Sequence, residues 1–88
     1  MNSKNFYRLK IKAICPVDVN IVDEYETVVS TREVISVETI LEHVTNLTQA
    51  PIFQEHLTRQ LAASLRATVE TTGVHSGIEV TAVAKWKR

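Results

Sequence analysis

The chain has 88 residues, of which 44% are hydrophobic, so it is large enough for one small core and too short for two. Ten basic and ten acidic residues cancel to a net charge of zero, which leaves no broad field to attract nucleic acid or an anionic membrane surface. The short basic tail at 85–88 is typical of a solvated chain end. We therefore expect a single domain spanning 1–88, with neither nucleic acid nor membrane among its partners.

Cys15 is the only cysteine, so no internal disulfide can form, which is typical of a reducing compartment. The N-terminal residues include no apolar stretch like that of a signal peptide. No segment approaches the ~18–20 apolar residues of a membrane-spanning helix. These features predict a cytoplasmic protein.

The first third of the chain alternates with a period of two residues and predicts two strands. Apolar residues alternate with basic ones over Phe6–Cys15, and a second alternating segment with acidic outer residues runs over Asp23–Arg32. Pro16 begins a polar turn between them. The basic outer face of the first strand can pair with the acidic outer face of the second, so the pattern predicts a hairpin.

The middle of the chain changes to helical spacing and predicts two helices. Ser36 is a good N-cap for the first, and Pro51 suits the start of the second. The apolar positions of the first helix are Val37, Ile40, Leu41, Val44 and Leu47. Those of the second are Phe53, Leu57, Leu61 and Leu65, widened by Ile52 and Ser64.

After Arg66 the period returns to two and predicts a second hairpin, with a tight connection over Gly73–Gly77. The alternating residues that indicate these strands are Ala67, Val69 and Thr71, then Ile78, Val80, Ala82, Ala84 and Trp86. The order ββααββ predicts an α+β fold, in which an antiparallel four-stranded sheet carries both helices on one face. Its two open edges invite pairing with other copies, so we expect a homo-oligomer closing toward a barrel.

Two short segments resemble known families that share one fold. The segment Pro51–Leu65 resembles the helix of GTP cyclohydrolase I whose glutamate binds the guanine ring. Cys15-Pro16-Val17 resembles the same segment in the nitrile reductase of queuosine biosynthesis, which acts on 7-cyano-7-deazaguanine. The resemblance, which covers the chain from Cys15 to about Ala82, implies the tunnelling fold (T-fold). It also implies a purine-, pterin- or 7-deazaguanine-like ligand bound at subunit interfaces.

Glu55 is the strongest candidate for contact with such a ligand. It lies about 200° from Phe53 on a helical wheel, away from the apolar stripe. A carboxylate can accept two parallel hydrogen bonds, which suits the N–H and amino edge of a guanine-like ring. The alternative is a solvent-exposed pair with Arg59, four residues later. The resemblance implies that Glu55, with Gln54 beside it, binds the substrate.

Three residues are candidates for catalysis. The resemblance implies one of two roles for Cys15: it attacks a nitrile as a nucleophile, or it binds zinc as a ligand. The alternative is that Cys15 is a small buried apolar residue, as a cysteine before proline often is. Asp23 follows it by eight residues, one more than the spacing to the reductase aspartate that moves protons. His75 matches the acid–base histidine of the cyclohydrolase, and its alternative is a polar turn residue.

The metal and cofactor content is left open by the sequence. The cyclohydrolase binds zinc through a cysteine, a histidine three residues later and a second cysteine. Here those positions hold Cys15, Asp18 and Gly77, so zinc is doubtful, and Cys15 and Asp18 are only weak candidate ligands. Thr39 replaces the family's phosphate-binding lysine, which favours a ligand without triphosphate. The remaining alternative is a catalytically inactive T-fold oligomer with a structural or regulatory role.

Overall fold

The computed structural model describes residues 3–86, so half of the basic tail lies outside the described residues. The elements are β1 (Asn5–Ile14), β2 (Val22–Thr31), α1 (Val37–Leu47), α2 (Gln54–Leu65), β3 (Thr68–His75) and β4 (Ile78–Ala84). The strands form one antiparallel sheet in the order β1-β2-β3-β4. This confirms the predicted α+β fold. Within the described part of the chain, no helix is long and apolar enough to cross a membrane.

The first hairpin is held in register by charge pairs on its outer face, as predicted. Lys10 Nζ lies 3.8 Å from a carboxylate oxygen of Glu24 and 3.6 Å from one of Glu26. The inner face buries Ile11 and Tyr25, which are opposite each other in the strand register. Because exposed ion pairs contribute roughly 0–1 kcal/mol each, the buried inner face stabilises the hairpin more than the charges do.

Helix α1 begins where the sequence predicts, but its buried face is narrower than predicted. The Ser36 Oγ accepts a hydrogen bond from the Thr39 backbone N–H at 3.1 Å and so caps the helix. Ile40 is buried, whereas Val37 and Leu41 are exposed. The reason is that α1 packs mainly beside α2, while α2 lies directly on β3 and β4. A helix that touches a neighbouring helix along one edge buries fewer apolar positions than one lying on a sheet.

The buried face of α2 is rotated from the predicted stripe. Phe53 is the N-cap and is exposed, and Ser64 is also exposed, so both assignments to the core were wrong. The buried face consists of Gln54, Leu57, Thr58, Leu61, Ala62 and Leu65. Its two polar members are buried because they hydrogen bond to Thr71 on the sheet below.

The second hairpin turns over two residues, not over the longer connection predicted. Ser76 and Gly77 both have positive φ, 51° and 82°, as a two-residue hairpin turn of type I′ requires. Gly73 lies inside β3 instead. A Cβ atom there would be 2.5 Å from Cδ1 and 2.7 Å from Cε1 of Tyr25, so a glycine is needed for the ring to lie across the strand.

Replacing this glycine should therefore strain the sheet. We expect Gly73→Ala to lower the free energy of unfolding by about 1–3 kcal/mol, since the buried Tyr25 ring has to move. The measurement is urea denaturation followed by circular dichroism. Val34→Ala is the control, because this side chain is 87% exposed in the segment before α1 and its loss should cost less than about 0.5 kcal/mol. Equal losses for both variants would contradict a steric role for Gly73.

Candidate functional site

A cavity of about 860 Å³ lies where the end of β1, the start of α2 and the β3–β4 hairpin meet. Its volume falls in the range of roughly 300–1,000 Å³ that is typical of small-molecule sites. The sequence-predicted site residues that line it are Cys15, Asp23, Gln54, Glu55 and His75. The fold thus brings together candidates that are up to sixty residues apart in the chain (residue 75 minus residue 15).

Cys15 and Asp18 occupy the loop after β1, but only Cys15 lines the cavity. Cys15 is partly buried, and its backbone N–H donates to the Ile21 carbonyl at 3.0 Å. The Asp18 carboxylate instead accepts a hydrogen bond from the Asn20 backbone N–H at 3.0 Å, which stabilises the turn. Among the described residues, no group of three or more histidine, cysteine or acidic side chains is placed to hold a metal ion.

Asp23 and Tyr25 form a second part of the wall, both on β2. The Tyr25 hydroxyl donates to an Asp23 carboxylate oxygen at 3.4 Å, and the Asp23 side chain is only 11% exposed. Burial raises the pKa of Tyr25 from its usual value of 10.0 to about 12, and the negative charge of Asp23 and this hydrogen bond add to the effect. Tyr25 therefore remains a hydrogen-bond donor throughout the neutral range.

His75, the last residue of β3, links two walls of the cavity. Its Nε2 lies 2.8 Å from the Gln54 Oε1, and its Nδ1 lies 3.8 Å from an Asp23 carboxylate oxygen. The ring also packs against Tyr25, with the ring centroids 5.8 Å apart and the planes tilted by 46°. The imidazole is thus held between α2 and β2, and its Nδ1 is the nitrogen nearest to the carboxylate.

Gln54 lies in the wall itself and is only 7% exposed. Its side-chain nitrogen donates to the Val80 carbonyl at 2.9 Å and to the Thr71 carbonyl at 3.1 Å. Its side-chain oxygen faces His75. Both ends of the amide are therefore engaged by protein groups in the free chain, and the substrate-binding role expected for Gln54 stays a prediction.

Glu55 lies at the rim of the cavity, and its contacts are compatible both with ligand binding and with a solvent-exposed pair with Arg59. Its side chain is 75% exposed, and one carboxylate oxygen is 3.2 Å from the Arg59 Nη1. Both side chains also line the cavity. An exposed pair of this kind contributes only a few tenths of a kcal/mol, so Glu55 can exchange Arg59 for another partner at little cost.

Several lining residues were not identified as site residues from the sequence. The first turn of α2 faces the cavity, so the residues around Glu55 also line it, namely Phe53, His56 and Arg59. Their helical spacing from Glu55 is the signal that could have identified them. Tyr25 falls among the inward positions of the second predicted strand, and no motif in the sequence marks it as a site residue. The one signal for its position is Gly73, a glycine inside an alternating strand, which indicates a close approach by another group.

The fold has a close counterpart among solved structures. The chain superposes on a crystal structure described as the archaeosine synthase QueF-Like in the apo form, with a TM-score of 0.83 and 21% sequence identity. The match covers 96% of this chain and 93% of that one. The chain has the T-fold. No family profile and no curated protein matches it, and at this identity the structural match establishes the fold alone.

The raised pKa of Tyr25 makes the stability of the fold depend on pH in the alkaline range. Because the pKa of Tyr25 is raised in the folded state, unfolding becomes easier once the unfolded chain ionises near pH 10. We expect the free energy of unfolding to fall between about pH 10 and 12, by up to about 2–3 kcal/mol. Urea denaturation across this range measures it. Tyr25→Phe is the control, and an identical fall in the variant would contradict the assignment to Tyr25.

Proposed function

We propose that this chain binds a purine-like heterocycle of the 7-deazaguanine class in the cavity, with pterins as the related alternative ligand. The observation that carries the proposal is that Cys15, Asp23, Glu55 and His75 line the same cavity although they come from different elements. The structural neighbour, which is described as an archaeosine synthase QueF-Like, supports this class of ligand at a coarse level.

Two residues at the start of α2 suit recognition of a flat heterocycle. The Glu55 carboxylate can accept hydrogen bonds from a ring N–H and the neighbouring amino group, which releases Arg59 from its pair. Phe53 is exposed and lines the cavity at the same end of α2. Stacking of a base on an aromatic ring contributes roughly 1–3 kcal/mol, so edge and face of the ligand each have a partner.

In this proposal, Cys15 is the nucleophile of the cavity. Cys15 adds through its sulfur to the carbon of a nitrile, and the carbon–nitrogen triple bond becomes a double bond. The thiol proton ends on the nitrile nitrogen, so the addition needs no oxidant or reductant. Asp23 and His75 supply proton-accepting groups in the same cavity for this transfer.

We also propose that a second copy completes the site through the edge of the sheet. The strand β4 is an open edge, and its segment Val80–Val83 lines the cavity. Exposed apolar side chains surround this edge, namely Val74, Ile78, Val80 and Val83. A protomer that pairs with β4 would cover these side chains and lie against the open side of the cavity.

One observation favours the alternative of a catalytically inactive oligomer. Glu55 already forms an ion pair with Arg59, so its carboxylate does not need a ligand as a partner. In this alternative the chain assembles through its sheet edges and carries no heterocycle. The two functions separate by a binding measurement on the assembled protein.

The anchor is tested by isothermal titration calorimetry with 7-cyano-7-deazaguanine, guanine and pterin. We expect binding by the wild type and a loss of at least about tenfold in affinity for Glu55→Gln, since an amide cannot accept both hydrogen bonds. Glu42→Gln is the matched control, because Glu42 is an exposed carboxylate on α1 away from the cavity. Wild-type protein that binds none of these compounds would favour the inactive oligomer.

The nucleophile is tested by intact-protein mass spectrometry after incubation with 7-cyano-7-deazaguanine. We expect the mass of the protein to increase by the full mass of 7-cyano-7-deazaguanine, because the addition has no leaving group. Cys15→Ser should lose the adduct and keep the calorimetric binding signal. Binding without any adduct in the wild type would overturn the covalent step while leaving heterocycle recognition intact.

A further inference from the structure

The orientation of the Gln54 side-chain amide is fixed by what surrounds it. One end lies 2.9 Å from the Val80 carbonyl oxygen and 3.1 Å from the Thr71 carbonyl oxygen. Backbone carbonyls only accept hydrogen bonds, so the NH₂ group has to face them. With the amide reversed, three oxygens would face one another in a buried position. The side-chain oxygen of Gln54 therefore faces His75.

The same reasoning assigns the proton of the imidazole. The Gln54 Oε1 is an acceptor, and it lies 2.8 Å from the His75 Nε2, so that nitrogen has to donate. A neutral imidazole has one N–H, which leaves Nδ1 unprotonated. We infer that Gln54 is a positioning residue that holds His75 in the Nε2–H tautomer and presents Nδ1 as the proton acceptor beside Asp23.

Two threonines close this network and make its directions consistent. The Thr58 hydroxyl donates its single hydrogen to the Gln54 backbone carbonyl at 2.7 Å. The contact of 2.7 Å between the Thr58 and Thr71 hydroxyls is therefore donated by Thr71. The Thr71 Oγ1 in turn accepts from the Gln54 NH₂ at 3.2 Å and shares one of the two amide hydrogens with the Thr71 carbonyl oxygen at 3.1 Å. Among the described residues, no buried side-chain nitrogen or oxygen lacks a partner.

The Asp23 carboxylate opposes this tautomer. Its carboxylate would accept a proton from Nδ1, but the two atoms are 3.8 Å apart, beyond hydrogen-bond distance. The contact with Gln54 is 1.0 Å shorter (3.8 minus 2.8) and part-buried, and breaking it would leave the amide oxygen without its protein partner. Gln54 therefore prevails over Asp23 in the neutral ring.

The Nε2–H tautomer of His75 determines which chemical group can bind to this part of the cavity wall. The His75 Nδ1 and the Asp23 oxygen are two acceptors side by side, so whatever lies between them has to supply a hydrogen. That hydrogen comes from an N–H or O–H group of a bound molecule or from a proton taken up by the ring. The inference goes beyond the proposed function, because it concerns the free protein and needs no heterocycle.

Nitrogen-15 NMR of uniformly labelled protein tests the assignment, at a pH where the ring is neutral. His75→Asn identifies the His75 signals, and the exposed His56 in the same sample is the internal reference. We expect Nε2 of His75 to be pyrrole-like and Nδ1 to be pyridine-like. The ratio of the Nε2–H to the Nδ1–H form should exceed that of His56 by about tenfold. A ratio equal to that of His56, or a majority of the Nδ1–H form, would overturn the inference.

The positioning role is tested by Gln54→Met, which keeps the length of the side chain and removes the amide. We expect the tautomer ratio of His75 to fall by at least about tenfold, because Asp23 is then the remaining acceptor. Gln60→Met is the matched control on an exposed position of α2 and should leave the ratio unchanged. A folded Gln54→Met protein with the wild-type ratio would overturn the role of Gln54. If this variant does not fold, the wild-type ratio alone decides.

Discussion

The hydrogen bonds of one buried amide hold the site together. Gln54 is the first residue of α2, and its side chain binds β3, β4 and the imidazole of His75. Apart from these bonds and the contact between the Thr58 and Thr71 hydroxyls, the helix rests on the sheet through apolar contacts, which are not directional. A fully satisfied polar network adds direction, because any displacement of α2 leaves a buried group unpaired. The start of the helix, and with it Glu55, is therefore fixed relative to the strands.

The same arrangement separates rigid from adaptable parts of the cavity. His75 is held by Gln54 on one side and packs against Tyr25 on the other. Glu55 is exposed and has only the weak pair with Arg59. The imidazole is thus held in place, while the Glu55 carboxylate at the rim can adapt. Fixed polar groups inside a cavity and adaptable ones at its entrance are a favourable combination for a small-molecule site.

The fold was largely predictable because its signals are local. The alternation in β1 and β2, the Ser36 cap and the return to period two after α2 each depend on neighbours in sequence. The errors arose where burial depends on a distant element. Phe53 fits an apolar stripe by spacing, yet the sheet lies under Gln54 and Thr58, because Thr71 offers them hydrogen bonds. Spacing alone does not show that a polar residue will find a buried partner.

Four residues of the candidate site were proposed from the sequence, but the contacts between them were not. Cys15, Asp23, Glu55 and His75 were proposed from a resemblance, and the fold places all four around one cavity, while their roles stay predictions. The contact between Gln54 and His75 joins residues twenty-one positions apart, and no local pattern reports it. Gly73 comes nearest to such a signal, since it makes room for the Tyr25 ring that packs on His75. The position of the His75 imidazole therefore depends on Gly73, because a side chain at position 73 would displace the Tyr25 ring.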